Sequence, residues 1–293
     1  MRMVFVHGIN NQKNTVDRIR EDWWEAIEAG WKAAGLAAKP KPPTDVAFYA
    51  DKLATAEKGD LSKAIAMGGG TPVTRGIALE FLQEYMDAAG VTQEEIGAVA
   101  EAMGAPRQSV AQGTPHEGWI VNLAGFLERI LPSKGKYIAR LFLRQAALYI
   151  ENEALRASID AKVKGQICDG KQDPAIVIAH SLGTVVAYRI LADKAQKTRD
   201  VVQFITLGSP LSLRMFKNIL PPRGTMPNPP LKKWLNGRHK DDFVTLGRAI
   251  TEDSIGFTGV TDEVAILNDE DDKHSITHYL SSPSIAKVIH AAL

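Results

Sequence analysis

The sequence predicts an α/β fold in which a mostly parallel central sheet is flanked by helices. Short stretches rich in apolar residues are typical of buried strands, and they recur at residues 3–6, 46–49, 176–179, 201–207 and 234–236. Apolar residues at helical spacing follow several of these stretches. The chain has 293 residues, which is enough to bury a sizeable core. Strand signals near both ends favour one core with an inserted segment.

Charge and cysteine content exclude several functional classes. The formal net charge is +1 and charged residues make up 24% of the chain without a basic block. We therefore expect no nucleic-acid partner and no attraction to an anionic membrane surface. The single cysteine, Cys168, excludes an internal disulfide bond, which suits the cytosol, and it lacks a pattern of catalytic partners.

The sequence carries no sign of secretion or membrane insertion, which also favours a cytoplasmic location. Only four apolar residues follow Arg2 before His7, too few for the apolar region of a signal peptide. The apolar stretch at residues 120–131 is interrupted by one amide and two charged side chains, so we expect no transmembrane segment.

A helix is predicted between the first two strands. Apolar residues recur at helical spacing from residue 16 to residue 34, and Trp23 and Trp31 share a face that is expected to pack on the sheet. The proline-rich segment 39–43 ends this helix before the second strand begins.

A helical insertion is predicted after the second strand. Strand signals are absent from residues 53–132, where helical patterns occur at residues 77–88, 92–103 and 119–131. We therefore expect a core formed by residues 1–52 and 133–293, and a helical cap formed by residues 53–132 that supplies much of the ligand pocket. The apolar face of the last cap helix fits ordinary packing, a mobile lid, or contact with a membrane or partner.

The most informative stretch, DPAIVIAHSLGTVVAY, covers residues 173–188. A long helical pattern at residues 136–164 precedes it, and the stretch itself predicts a buried strand, a turn of small residues and a helix at residues 184–191. The turn fits the nucleophile-elbow pattern G-x-S-x-G, with Ala179 in the first position and Gly183 in the last.

This pattern has a physical basis. A strand that reverses directly into a helix leaves Ser181 at the apex in a strained conformation, with its hydroxyl above the sheet. The N–H of Leu182 is then directed into the same space at the start of a helix, where developing negative charge is favoured. His180, the neighbour in the strand, is expected to point away from Ser181.

Together with VHGI at residues 6–9 and a late histidine, AHSLG at residues 179–183 resembles the α/β-hydrolase superfamily, in particular its bacterial lipase-like and esterase-like members. The resemblance implies the α/β-hydrolase fold, a small-molecule or lipid ester as substrate, and a triad in the chain order serine, acid, histidine. It also implies that the N–H groups of Ile9 and Leu182 bind the oxyanion. His7 and Gly8 would order that loop, since HGIN lacks the extra glycines of the HGGG type.

Several carboxylates follow the fifth strand and compete for the role of the acid, namely Asp241, Asp242, Asp253, Asp262 and the acidic run 269–272. Asp242 is preferred because it precedes the apolar pair Phe243-Val244, as the family's strand-end acid does, and Asp241 is its close rival. The acidic run lacks the ligand spacing and the glycine of a calcium-binding EF-hand loop, and is expected to be a solvated loop.

Two histidines near the end of the chain compete for the role of the base. The superfamily histidine lies on a loop before the last helix, and a helix is predicted at residues 284–292. His274 follows the acidic run and is preferred, with His278 as the rival. A second serine at a strand end, Ser209, is a weaker candidate nucleophile, because Pro210 and a predicted helix at residues 211–218 make it a turn and helix-cap residue.

The sequence thus predicts a serine hydrolase that cleaves a carboxylic ester through an acyl enzyme. Thioester hydrolysis, amide hydrolysis and acyl transfer would use the same residues, and a hydrolase fold can also serve as a binding module without turnover. No metal or organic cofactor is expected, because the chain has no HExxH, CxxC or GxGxxG pattern.

Overall fold

The computed structural model describes residues 1–67, 80, 84, 135–168, 173–193, 195, 199–222, 224–225, 233–256, 258–264, 266 and 272–293. In this part of the chain the predicted parallel sheet flanked by helices is confirmed. Its strands are β1 (Arg2–Val6), β2 (Thr44–Ala47), β3 (Ala175–His180), β4 (Val201–Leu207), β5 (Trp234–Gly237) and β6 (Val260–Glu263). All neighbours pair in parallel in the order β2-β1-β3-β4-β5-β6, so β3, β4 and β5 lie side by side.

Helices cover both faces of this sheet. In chain order they are α1 (Val16–Ala33), α2 (Ala50–Met67), α3 (Gly135–Glu151), α4 (Glu153–Ile167), α5 (Leu182–Ala192), α6 (Glu252–Ile255), α7 (Ile276–Ser281) and α8 (Pro283–Ala292). Met3 and Phe5 of β1 join a cluster with α1, α7 and α8, whereas Val4 and Val6 join a cluster with α3, α4 and α5. Because successive side chains of a strand point to opposite faces, burial on both sides explains the uninterrupted apolar run.

The tryptophan face of α1 packs as expected. The ring of Trp23 lies against Phe5 of β1, with 4.9 Å between ring centroids. Trp31 is buried, and its indole N–H donates to the main-chain oxygen of Ala286 in α8 at 3.0 Å. This face of the sheet is therefore part of the hydrophobic core, and α1 presents no exposed aromatic surface to a ligand.

The structure differs from the predicted elements in four places. The pattern at residues 136–164 is two helices, because the side chain of Asn152 accepts from the N–H of Leu155 at 2.9 Å and caps α4. The predicted helix at 211–218 contains only a short 3₁₀ turn, Arg214–Phe216. The second strand spans Thr44–Ala47, because α2 already begins at Ala50. The edge strand β6 was not predicted, since VTDE lacks an apolar run.

Most of the predicted cap lies outside the described residues. Its helices at 77–88, 92–103 and 119–131 fall there, apart from Glu80 and Glu84, and so does most of the acidic run. Residues 53–67 belong to α2, which crosses the predicted boundary between core and cap. Of the helices that the structure describes, none is both long enough and apolar enough to cross a membrane.

Candidate active site

The turn between β3 and α5 holds Ser181 in a conformation that serine rarely adopts. Its φ and ψ are 54° and −131°. The N–H of Ser181 donates to Leu207 of β4 at 3.0 Å. Its carbonyl accepts from the N–H of Thr184 at 2.9 Å and from the Thr184 hydroxyl at 2.7 Å. Because positive φ is costly for a residue with a Cβ, these hydrogen bonds are needed to hold the strained apex.

The small residues of this turn let the end of β1 approach closely. A Cβ added to Gly183 would lie 2.6 Å from the main-chain oxygen of Val6, so only glycine fits there. Ala179 is fully buried in β3. A Cβ added to Gly8 would lie 2.5 Å from the Cβ of Ser181 and 2.9 Å from the main-chain oxygen of His180. The loop after β1 therefore lies directly against the serine.

Hydrogen bonds fix the direction of the peptide between Gly8 and Ile9. The carbonyl of Gly8 accepts from Nδ1 of His7 at 2.7 Å and from the Asn11 side chain at 3.2 Å. The Asn11 side chain also donates to the carbonyl of Ile9 at 2.8 Å. Because a trans peptide is planar, a fixed Gly8 carbonyl also fixes the Ile9 N–H, which points the opposite way. This donor is thus oriented before any ligand binds.

His7 is held in this loop as a neutral imidazole by two hydrogen bonds. Its Nε2 accepts from the N–H of Tyr49 at 3.0 Å, so the proton is on Nδ1, which donates to Gly8. The Tyr49 hydroxyl donates to the His7 carbonyl, and the two rings stack at 4.1 Å. Burial lowers the pKa of His7 to about 4.

Asp242 and His274 meet in a buried pair. Nδ1–H of His274 donates to Oδ2 of Asp242 at 2.8 Å, with Oδ1 at 3.0 Å. Oδ1 of Asp242 also accepts from the N–H of Val244 at 2.8 Å. Gly208, at the end of β4, leaves room for this pair, because a Cβ there would lie 2.9 Å from Cε1 of His274 and 3.1 Å from Oδ2 of Asp242. Asp242 follows β5 and His274 precedes α7.

The rival acid and base make other contacts. Asp241 is exposed and pairs with Lys240 at 2.8 Å, and this hydrogen bond lowers the pKa of Asp241. His278 lies in α7, with its Nδ1 at 3.3 Å from the main-chain oxygen of Asp272. Asp253 lies in α6, and Asp262 of β6 accepts from the side chains of Asn236 and Arg238. The structure thus brings together the preferred acid and the preferred base.

Ser181 and His274 each have one buried polar atom that makes no hydrogen bond among the described residues. Neither Oγ of Ser181 nor Nε2 of His274 has a hydrogen-bond partner among the described residues, so the two are not bonded to each other. The two residues share neighbours, because Ser181 donates its N–H to Leu207 while His274 lies against Gly208. Buried polar atoms without partners are rare and costly, and a pair of them marks a site where a proton or a ligand atom can be received.

The sequence interpretation missed two residues that contact this pair. Nε2 of His180 lies 2.9 Å from the main-chain oxygen of His274, and the two rings are 4.5 Å apart. Burial, followed by the neighbouring His274, lowers the pKa of His180 well below its usual value. The hydroxyl of Tyr279 donates to Oδ2 of Asp242 at 2.6 Å. No sequence signal marks either contact, because each depends on how distant segments pack.

The remaining candidates are accounted for by structural contacts. The hydroxyl of Ser209 is hydrogen-bonded at 2.8 Å to that of Thr184 and accepts from the N–H of Leu211 at 3.3 Å. Cys168 is buried at the end of α4. Within the described ranges, no group of three or more histidine, cysteine, aspartate or glutamate side chains could hold a metal ion.

Comparisons of the chain with protein-family models, with curated proteins and with solved structures found no match.

Proposed function

We propose that this protein is a serine hydrolase of the α/β-hydrolase type that cleaves carboxylic esters through Ser181, His274 and Asp242. One observation carries the proposal. A serine held at positive φ follows β3, a buried histidine-aspartate pair lies against Gly208 after the neighbouring β4, and the serine Oγ and histidine Nε2 both lack partners among the described residues. A structural serine has no need of that strain, whereas a nucleophile must be presented at an apex.

In the proposed reaction, Nε2 of His274 takes the proton of the Ser181 hydroxyl while Oγ attacks the ester carbonyl carbon. Asp242 holds the imidazole with its proton on Nδ1 and stabilises the imidazolium that forms. The tetrahedral intermediate collapses when the C–O bond to the alcohol breaks, and His274 returns the proton to the leaving alkoxide. Water then attacks the acyl enzyme by the same steps and releases the carboxylic acid.

The oxyanion would be stabilised by the main-chain N–H groups of Ile9 and Leu182. Leu182 begins α5, whose amino-terminal end favours negative charge. The Ile9 N–H is oriented by the hydrogen bonds on either side of it. Donors of this kind each contribute about 3 kcal/mol to stabilisation of the transition state, since they need no reorganisation during reaction.

We extend the proposal to the rest of the molecule. The sheet and its two helical layers fit the core of an α/β hydrolase, and residues 53–132 would form a cap that shapes the pocket for a small-molecule or lipid ester. Glu84, from that segment, supports this arrangement. Its buried carboxylate accepts from the main-chain N–H of Arg214 at 2.8 Å and pairs with Arg248, six residues after Asp242. Cytoplasmic location and contact of the cap with a membrane surface remain part of the proposal.

A fluorophosphonate probe tests the catalytic proposal. We expect the probe to label the protein once, with peptide mapping placing the adduct on Ser181, and we expect the Ser181→Ala variant to stay unlabelled. Folded protein that takes up no probe would instead support a binding module without turnover. An adduct on Ser209 would contradict the assignment of the nucleophile.

Substrate class requires a second measurement. A series of p-nitrophenyl esters of increasing acyl length, with a thioester and an anilide of the best acyl group, separates ester hydrolysis from its alternatives. We expect the ester to be turned over fastest. Faster turnover of the thioester, or of the ester when a second alcohol is added as acceptor, would reassign the protein as a thioesterase or an acyltransferase.

A further inference from the structure

Tyr279 lies behind the candidate acid. It belongs to α7, five residues after His274, and it is almost completely buried, with 1% of its surface exposed. Its ring packs near that of His180 on β3, with 6.3 Å between centroids. The side chain is therefore held by elements on two sides of the candidate site, and its hydroxyl has a defined position.

The direction of the hydrogen bonds made by Tyr279 is unambiguous. The hydroxyl lies 3.0 Å from the main-chain nitrogen of His239 and 2.6 Å from Oδ2 of Asp242. A main-chain N–H can only donate, so the hydroxyl oxygen accepts from His239. The single hydroxyl proton is then committed to Asp242. Tyr279 thus connects the carboxylate to the main chain of the loop that carries it.

With this bond the carboxylate of Asp242 has three donors in three directions. Oδ1 accepts from the N–H of Val244, and Oδ2 accepts from both Tyr279 and Nδ1–H of His274. Two of these donors fix the carboxylate from sides that do not involve the histidine. A hydrogen bond to a charged carboxylate also disperses its charge, so less of that charge acts on the imidazole.

We propose that Tyr279 is a positioning residue that orients Asp242 and moderates the basicity of His274. The inference rests on the proposed function, and it deepens it by adding a fourth side chain to the triad. The phenol fits this role over the working pH range, because burial, followed by the charge of Asp242, raises the pKa of Tyr279 well above its usual value and keeps the donor proton in place.

The other titratable groups around Asp242 and His274 must stay unchanged when the positioning role of Tyr279 is tested. They come from each packed element: His180 on β3, His239 and Arg238 after β5, and Asp272 and Lys273 beside His274. None of them is altered by replacing Tyr279 with phenylalanine, which keeps the ring and removes only the hydroxyl. The substitution removes both hydrogen bonds of the hydroxyl, the one donated to Asp242 and the one accepted from the main-chain N–H of His239, and only the first involves a titratable group.

The chain offers a matched control in Tyr149. This residue is also fully buried, and its hydroxyl donates to a carboxylate, that of Asp160, at 2.5 Å. Asp160 pairs with Arg189 at 3.2 Å. Tyr149→Phe therefore removes a bond of the same kind that involves neither Asp242 nor His274, and it reports what the loss of such a bond does to stability.

The experiment compares wild type, Tyr279→Phe and Tyr149→Phe by hydrolysis across pH and by NMR titration of His274. In Tyr279→Phe we expect kcat to fall about tenfold with little change in KM, and the NMR titration of His274 to move to higher pH than in wild type, because the carboxylate charge is less dispersed. In Tyr149→Phe we expect an unchanged pH profile and only a lower melting temperature. A double variant with Asp242→Asn should lose little beyond Asp242→Asn alone.

Two results would overturn the inference. One is an unchanged His274 titration in folded Tyr279→Phe. The other is a double variant whose fall in kcat equals the product of the falls in the two single variants, as expected for residues that act independently. Because the titration is read without substrate, it separates the two proposals. A wild type that neither hydrolyses esters nor accepts the probe, but whose His274 titration still moves to higher pH on Tyr279→Phe, would remove the proposed function and leave the positioning role intact.

Discussion

The neighbouring strands β3 and β4 each lead into a serine, and the two serines differ in backbone conformation and in the hydrogen bonding of their hydroxyls. Ser181 has a φ of 54° and a hydroxyl without a partner among the described residues. Ser209 has a committed hydroxyl. The Thr184 hydroxyl already donates its proton to the Ser181 carbonyl, so Ser209 donates to Thr184 and accepts from the N–H of Leu211.

Under the proposed function, the surroundings of the two serines decide which of them is the nucleophile. At the end of β4 the backbone turn satisfies the hydroxyl, which then serves as a structural cap. At the end of β3 the immediate reversal into α5 leaves the hydroxyl without a hydrogen-bond partner among the described residues, and His274 lies against Gly208 at the end of the neighbouring strand. The same Thr184 stabilises both turns, so it couples the two strand ends.

Replacing each serine by alanine tests this contrast with the largest expected effect. Ser181→Ala should lower kcat by about 10⁶-fold, because the bond-forming atom is removed. Ser209→Ala should keep most of the activity and lose about 1 kcal/mol of stability, because one buried hydrogen bond is lost. Steady-state hydrolysis and denaturant unfolding measure the two effects. Comparable loss of activity in both variants would erase the distinction.

The adjacent aspartates after β5 offer a similar pair of variants. Asp242→Asn should lower kcat by about 10⁴-fold, because an amide no longer holds the imidazole with its proton on Nδ1. Asp241→Asn should change kcat less than about threefold, because exposed ion pairs such as that with Lys240 contribute little. The measurement is kcat/KM at the pH optimum. A larger effect at Asp241 would reverse the assignment of the acid.

A substitution in the loop that lies against Ser181 is expected to lower kcat by a smaller factor. A Cβ at Gly8 would lie 2.5 Å from the Cβ of Ser181, so Gly8→Ala must displace the loop or the serine. We expect kcat to fall about 10²-fold, because catalysis is sensitive to displacements of about 1 Å. Stability should fall by about 1 to 3 kcal/mol through overpacking. A fully active, equally stable Gly8→Ala variant would show that the loop does not constrain the nucleophile.

The mildest test uses pH, since two buried imidazoles with lowered pKa values, those of His7 and His180, lie at the ends of β1 and β3. His7 binds a proton below about pH 6.5 when unfolded and below about pH 4 when folded. The unfolded state therefore takes up more protons in this window, and the free energy of unfolding falls as the pH is lowered through it, by about 1.4 kcal/mol per pH unit. His180, whose pKa is also lowered, adds to this slope. In His7→Gln, urea unfolding should give a shallower slope, and an unchanged slope would refute this origin.

Much of the architecture was predictable because it depends on local patterns. Strands buried on both faces read as apolar runs, and the sharp reversal from β3 to α5 requires small residues at Ala179 and Gly183. Predictions failed where propensity was ambiguous, as at Asn152, which interrupts an apolar periodicity by capping α4. They also failed at the edge of the sheet, where no side chain of β6 is fully buried and no apolar run marks the strand.

The sequence by itself determined the turn that presents Ser181, because strand, turn and helix are specified by residues close to one another. It also limited the acid and the base to a few residues. Only the tertiary structure brought His274 to Asp242, 32 residues away along the chain, and placed Tyr279 and His180 against them. These contacts depend on the order of β3, β4 and β5 in the sheet and on the packing of α7, which no local pattern encodes.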